Sequence, residues 1–481
     1  MIPEAEKAKP AEAVPAAVGL PPALPPAPPT PGSWRLAIAG GLALLAAAAY
    51  LLDGPLGPRF RAGCGILFFC GLVALFSANL RAVNWRTIVW GVALQLFLAV
   101  LILKVGVVAE AFRGVGTVVD HFLKFSDKGA EFVFGNLARP DVLSPTVAPH
   151  VPPDEADNPR GFVFAFRALP PIIFVSAFFS VLYHFGVLQF VVRLFARVMM
   201  YLMRTSGAET LSVSANVFMG QTEAPLIVRP FVPRMTNSEL FALMVSGMAH
   251  ISGGLLAVYM GYVRSGGRDY GVGDVLITCI MACPCSLYLA KLLLPETAHP
   301  ETLGDARIEV PRTTVNAIDA IASGTTAGLQ LALNVAAMLI SFIAFVYLFN
   351  ALLGLISPGL TLQQVFGWVF SPVAFLMGVD AADAHRVGSL LGIKLALNEH
   401  VAYINLTKVA EYKDLSDRSF RLAVFALTGF ANFASVGIQL GGIGALAPDR
   451  RHDLARLGGR ALFVGFTATL VNASVAGVLL N

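Results

Sequence analysis

From Leu36 onward the chain is a succession of uncharged apolar runs, and its informative positions are the few polar residues inside them. Leu36–Leu52, Ala62–Leu80 and Thr87–Leu103 each hold enough apolar residues to span a bilayer, which takes about 20 as a helix. Arg59, Arg61, Arg81 and Arg86 sit in the short connections. From Val107 to Gly135 charged positions alternate with Val107, Phe112, Val115, Val118, Phe122 and Phe132. That amphipathic pattern predicts a helix lying in the membrane interface. Residues 138–160 carry six prolines and mixed charge and read as an aqueous loop. Ala168–Val192 is the next span, and Pro170-Pro171 at its start predict a kink.

Gly207–Pro230 departs from a plain span. Gln221, Thr222 and Glu223 lie inside an apolar run and are followed at once by Ala224-Pro225. Ionisable groups at membrane depth are costly and face a cavity or pathway. A proline directly after them excludes a continuous helix. Broken backbone in a membrane survives where protein buries it or where it lines a wet cavity. The expectation is a re-entrant hairpin with a polar tip. Leu240–Val263 follows, with His250-Ile251-Ser252-Gly253-Gly254 predicting a locally unwound helix, then Val275–Leu294, near whose end Lys291 can snorkel. Glu296–Arg312 is a charged connection, and Pro358-Gly359 divides the next uncharged region into Leu329–Leu353 and Leu360–Gly378.

The hairpin chemistry then returns. Lys394, Asn398, Glu399 and His400 interrupt Val387–Val409, Gly429 to Ser435 break Leu422–Leu446, and Ala461–Leu480 closes the series. Glu399 follows Glu223 by 176 positions, and Asn432 follows Ser252 by 180. Each half therefore reads as polar-tipped hairpin, interrupted helix, plain helix. Repeats of discontinuous helices with polar breaks are the sequence mark of a secondary transporter's binding site. The expected fold is an all-α polytopic membrane protein, an inverted-repeat secondary transporter with two re-entrant helical hairpins, interrupted helices and interfacial helices.

Composition agrees. Of 481 residues, 56% are hydrophobic and 13% charged, against roughly 25% charged in soluble domains. A net charge of +4 is too small to imply a nucleic-acid partner and fits a Lys/Arg excess beside membrane spans. Residues 1–33, rich in Ala and Pro without a continuous apolar core, read as a disordered tail. Cys64, Cys70, Cys279, Cys283 and Cys285 all lie in or beside apolar runs, and Cys283-Pro284-Cys285 has no metal-site spacing. Neither Gly-x-Ser-x-Gly nor His-Glu-x-x-His occurs, which argues against a membrane-embedded hydrolase. A channel is disfavoured because filters are built from rings of equivalent groups.

Three motifs carry a resemblance. Gly220-Gln221-Thr222-Glu223-Ala224-Pro225-Leu226, Asn398-Glu399-x-Val401-Ala402-Tyr403 and Gly429-Phe430-Ala431-Asn432-Phe433-x-Ser435 resemble the concentrative nucleoside transporters. Met235-Thr236-x-Ser238-Glu239-Leu240 and Pro448-x-Arg450-Arg451-x-Asp453-Leu454-Ala455 support it, and the resemblance covers roughly residues 62–480 in order. It implies a homotrimeric, sodium-coupled nucleoside symporter of the plasma membrane (the bacterial inner membrane), whose transport domain moves through a static scaffold. It implies pyrimidine and purine nucleosides as cargo, sodium as coupling ion, and no other cofactor. By the family pattern Gln221, Thr222 and Glu223 meet the base. Glu399, Asn432 and Ser435 meet the ribose, with Phe430 packed nearby, and sodium falls on Asn216, Met219, His250 and Ile251. His250 stands where the family usually carries a small hydroxyl residue, and His400 where it carries Phe. The alternative to sodium is a proton, with His250 titrating instead of packing as a neutral ring.

The resemblance and the pattern together divide the chain into seven segments. These are a tail (1–33), N-terminal scaffold spans (34–106), an interfacial helix and loop (107–160), and a scaffold span with connector (161–206). The first transport repeat (207–297), a connector with interfacial helix and scaffold span (298–378), and the second transport repeat (379–481) follow.

Overall fold

A computed structural model describes residues 27–138, 164–167, 169–265, 272–304, 314–408 and 410–480. The tail up to residue 26, nearly all of the 138–160 loop and much of the 296–312 connection lie outside the described residues. The described residues are helical with no strand, apart from one isolated bridge between Ser206 and Leu303. Five of the helices described are long and apolar enough to cross a membrane, and the protein is a multi-pass membrane protein. The expected spans appear as Gly32–Leu51, Asp53–Leu75, Trp85–Lys104, Val272–Leu293 and Arg451–Leu479. The amphipathic segment forms one helix, Gly106–Phe134.

The first two of these helices pack on each other. Asp53–Leu75 then packs on Arg451–Leu479, and Trp85–Lys104 packs on Val272–Leu293. The N-terminal helices are thus built onto the plain helices that end the two repeats. On another side, Leu169–His184 packs along the 40-residue helix Ala317–Ile356. Gly324 and Gly328 make that seam: a Cβ at either would fall 2.7 Å from the backbone of Ala177 or Ile173.

Two local expectations fail. The span Ala168–Val192 is two helices, Leu169–His184 and Val187–Met203, bent by 74°. The bend falls at Gly186, whose φ of +81° is left-handed and suits glycine, and not at Pro170-Pro171. Those prolines sit in the first helical turn, where no amide hydrogen is needed. Lys291 does not snorkel. Its ammonium is buried 2.7 Å from Glu209 Oε2 and 3.3 Å from Glu296 Oε2, and it donates to Ser238 Oγ at 2.9 Å.

Both repeats have the predicted succession. The first runs through helix Gly207–Ala215, a turn, and the short helix Ala224–Ile227. Next come the interrupted helix Asn237–Ala249/Gly253–Ser265 and the plain Val272–Leu293. The second runs through Ala384–Ala396 and Glu399–Lys408, then Asp417–Leu427/Phe433–Leu446, then Arg451–Leu479. Even the caps correspond. Thr236 and Ser416, 180 positions apart, each cap the first half of an interrupted helix by accepting the amide three residues on, at 3.0 and 3.1 Å.

Candidate binding site

Each interrupted helix opens where its backbone leaves helical geometry, and the two openings meet. His250 is extended (φ −113°, ψ 170°), and its carbonyl accepts the Phe430 amide at 3.1 Å. These two residues are also 180 positions apart, so the repeats cross at equivalent points. The crossing is tight. Gly429 has φ +141°, and a Cβ there would meet the Ala249 and Met248 carbonyls at 3.0 and 3.1 Å. Gly429→Ala is therefore expected to disrupt the crossing and abolish binding, with reduced yield of monodisperse protein. Wild-type uptake and elution would show the crossing to be tolerant.

Around this crossing lies a cavity of about 280 Å³ whose lining includes all seven expected substrate residues: Gln221, Thr222, Glu223, Glu399, Phe430, Asn432 and Ser435. Three helices begin at its wall. Ser252 caps Gly253–Ser265 (Leu255 amide to Oγ, 3.4 Å), Asn432 caps Phe433–Leu446 (Ser435 amide to Oδ1, 2.9 Å), and Glu399 opens its own helix. Helix starts present amide hydrogens and partial positive charge, which suits a polar solute.

The polar groups hold one another across the repeats. Gln221 Nε2 donates to Ser435 Oγ (3.2 Å), while Gln439 donates to Gln221 Oε1 (3.1 Å) and to the Met244 carbonyl (3.0 Å). Glu399 is 4% exposed; its Oε1 accepts from Tyr259 (2.9 Å) and its Oε2 from Asn432 (2.9 Å). Among the described residues no ion pair joins Glu223 to Arg229 or Glu399 to Lys394. Glu223 accepts the Gly220 amide (3.1 Å). Lys394, fully buried, donates to the Ala426 carbonyl (2.7 Å) and Thr469 (2.9 Å), closing the end of helix Asp417–Leu427.

Sequence reasoning missed Tyr259, which carries half of the hold on Glu399. It stacks on Tyr403 (centroids 4.7 Å, 10°), and an aromatic in an apolar run gives no mark to separate it from packing. Asn398 and His400 also reach the cavity, and His400 Nε2 lies 3.1 Å from the Tyr262 hydroxyl. Leu331, Asn334 and Val335 of Ala317–Ile356 close the cavity from the other side.

The four expected cation residues gather one layer away. Asn216 and His250 each terminate a helix, and Ile251 lies in the break. Asn216 Nδ2 donates to Ser246 Oγ (3.0 Å), and His250 Nδ1 donates to the Ser246 carbonyl (2.8 Å). Met219 lies in the turn next to Phe218, whose carbonyl accepts the Gly253 amide (2.9 Å) and ties the turn to the break. Two helix C-termini thus converge, each carrying partial negative charge, and Asn216 Oδ1 is buried with no hydrogen-bond partner. Among the described residues no cluster of His, Cys, Asp or Glu could hold a metal. The five cysteines are free thiols.

Comparison with known proteins agrees over most of the chain. Family models described as "Na+ dependent nucleoside transporter N-terminus", "Nucleoside recognition" and "Na+ dependent nucleoside transporter C-terminus" match residues 64–137, 165–266 and 274–477. An uncharacterized transporter of Haemophilus influenzae is 39% identical over 431 residues, 87% of this chain and 97% of its own. Sodium/nucleoside cotransporter 1 of Homo sapiens is 37% identical over 442 residues, 86% of this chain and 63% of the human protein. Among solved structures, CNTnw in an inward-facing substrate-bound state matches with a TM-score of 0.79 at 36% identity, over 88% of this chain and 98% of that one. Crossed repeats, a polar cavity at their breaks and continuous similarity lead to one assignment: the chain belongs to the Na+-dependent nucleoside transporter family, a family of transporters and not of enzymes.

Proposed function

We propose that this protein carries pyrimidine and purine nucleosides into the cell across the plasma membrane, in symport with sodium. The observation that carries the reading is the gathering of all seven substrate residues on one cavity, beside two converging helix C-termini with an unpartnered amide oxygen. Gln221, Thr222 and Glu223 take the base, since amide, hydroxyl and carboxylate together match its mixed donor and acceptor edge. Glu399 takes the ribose. A carboxylate has about four acceptor positions, two are used by Tyr259 and Asn432, and a vicinal diol supplies two more donors. Asn432, Ser435 and Phe430 complete that end. Asn216 Oδ1 and carbonyls near Met219, His250 and Ile251 bind sodium, an oxygen-seeking cation.

The moving body in this reading comprises the two repeats, whose hairpins are re-entrant; helices Asp53–Leu75 and Trp85–Lys104, read from the sequence as scaffold, pack on the plain helices of those repeats and are here proposed to move with them. Leu169–His184 and Ala317–Ile356, joined by the Gly324–Gly328 seam, form the static frame of an elevator and the centre of a homotrimer. The family match and the relation to CNTnw, solved in inward- and outward-facing states, support alternating access.

The test is uptake of labelled uridine and adenosine by proteoliposomes under an imposed sodium gradient, a proton gradient, or neither. Accumulation that requires sodium is expected; accumulation driven by protons alone would move the coupling role to a titrating group such as His250. Asn216→Leu is expected to raise half-saturating sodium about tenfold, equivalent to about 1.4 kcal/mol, with nucleoside affinity at saturating sodium preserved. An unchanged sodium dependence would remove Asn216 from the cation site.

A further inference from the structure

A second cavity, of about 320 Å³, lies against the first. The two share Glu223, Ser252 and Leu331 in their walls. The second is lined by Phe218 and Leu226 of the first hairpin, by Phe179 and Tyr183 of Leu169–His184, and by Gly324 and Ala327 of Ala317–Ile356. Its lining sets apolar side chains beside the hydroxyls of Ser176, Ser180, Thr314 and Ser323, and holds none of the side-chain amides of the first. Phe179 and Phe218 face one another with centroids 6.5 Å apart, tilted by 35°.

We propose that this second cavity is a subsite for an apolar, preferably aromatic, substituent on the nucleobase, and that a nucleoside so extended binds without being carried. The inference rests on the nucleoside reading above, which sets the base on Gln221, Thr222 and Glu223. Glu223 belongs to both walls, so the base edge facing it is the edge that borders the second cavity. An exocyclic N–H donates to the Glu223 carboxylate, and a group attached to the same nitrogen continues past Ser252 and Leu331. There it meets Phe179 and Phe218, where an aromatic ring finds tilted ring partners. A ribose substituent points the other way, toward Glu399 and Asn432.

Failure to be carried follows from the origin of the walls. Phe218 and Leu226 belong to the hairpin, whereas Phe179, Gly324 and Ala327 belong to two helices locked together at the Gly324 and Gly328 seam. A ligand in contact with both sides favours the one arrangement in which both contacts exist, and it shifts the population toward that state. Either nucleoside meets Ala317–Ile356 at Leu331, Asn334 and Val335, but only the extended one adds contacts to Phe179, Gly324 and Ala327, so its preference for that arrangement is the greater. The extended nucleoside acts as a wedge.

The test uses the full-length protein in detergent for binding and in proteoliposomes for uptake, with adenosine and N6-benzyladenosine as probes. N6-Benzyladenosine is expected to displace labelled adenosine with equal or higher affinity while accumulating at least tenfold less than adenosine. Ala327→Phe, which fills the second cavity from the frame side, is expected to weaken N6-benzyladenosine tenfold or more and leave adenosine affinity within twofold. Leu226→Phe narrows the cavity from the hairpin side and should give the same split if Ala327→Phe does not fold. The subsite is overturned if N6-benzyladenosine fails to displace bound adenosine, or if the filling variants weaken both ligands equally. Accumulation of N6-benzyladenosine at the rate of adenosine overturns the wedge. Absence of adenosine binding to folded protein overturns the nucleoside reading and this inference with it.

Discussion

Glu399→Gln is expected to lower uridine and adenosine affinity about 10- to 100-fold, the range set by hydrogen bonds to a charged group. The size follows from the surroundings of the carboxylate. Tyr259 and Asn432 both donate to it, one to each oxygen. A carboxylate satisfies two such donors and keeps lone pairs for a ligand. A glutamine presents one oxygen and one NH2, so one neighbour meets a donor and the ribose of the proposed substrate would lose its charged acceptor. Volume is conserved, so the crossing and the cavity should persist. Equilibrium binding of labelled uridine, with size-exclusion elution as the fold control, reads the effect. Wild-type affinity in a folded Glu399→Gln protein would remove this residue from the substrate site. Tyr259→Phe should cost less, since it removes one donor and leaves the charge.

Lys291→Met has the largest expected effect on stability. The ammonium lies 2.7 Å from Glu209 Oε2, with side-chain exposures of 8% and 1%. Glu239 and Glu296 belong to the same cluster: Glu239 accepts from Ser206 Oγ (2.5 Å), and Glu296 from Thr236 Oγ1 (2.8 Å). Removing the cation leaves a buried carboxylate uncompensated, a change that costs about 3–5 kcal/mol. The expected result is a melting temperature in detergent lower by about 10 °C. Glu209→Gln combined with Lys291→Met should recover part of the loss, because the stranded charge is then gone. Equal melting of the single and double variants would contradict the pairing.

These two predictions differ in how far the sequence foretold them. Glu399 stood out because a carboxylate in an apolar run has few uses, and the 176-position echo of Glu223 gave it a counterpart. The breaks at His250 and Phe430 were legible for the same reason: glycine and polar residues at mid-span cannot all be packing. Lys291 was misread because its position near a helix end is compatible with snorkelling. Its partner Glu209 lies on another helix 82 positions earlier, and local pattern carries nothing about such a pairing. The bend at Gly186 was hidden among many glycines, while the conspicuous Pro170-Pro171 sat harmlessly in a first turn. Tyr259 was silent because its hydroxyl acts only once helix Glu399–Lys408 is folded against it.

The meeting of the two breaks has an energetic consequence. The carbonyl of His250, one of the proposed sodium residues, holds the amide of Phe430, whose ring lines the cavity proposed for the nucleoside. Ordering either side therefore orders the other through one backbone contact. If sodium raises nucleoside affinity by some factor, thermodynamic reciprocity requires nucleoside to raise sodium affinity by the same factor. On the proposed reading, whichever ligand arrives first prepares the place of the second, and symport would begin as mutual binding cooperativity before any part of the chain has moved.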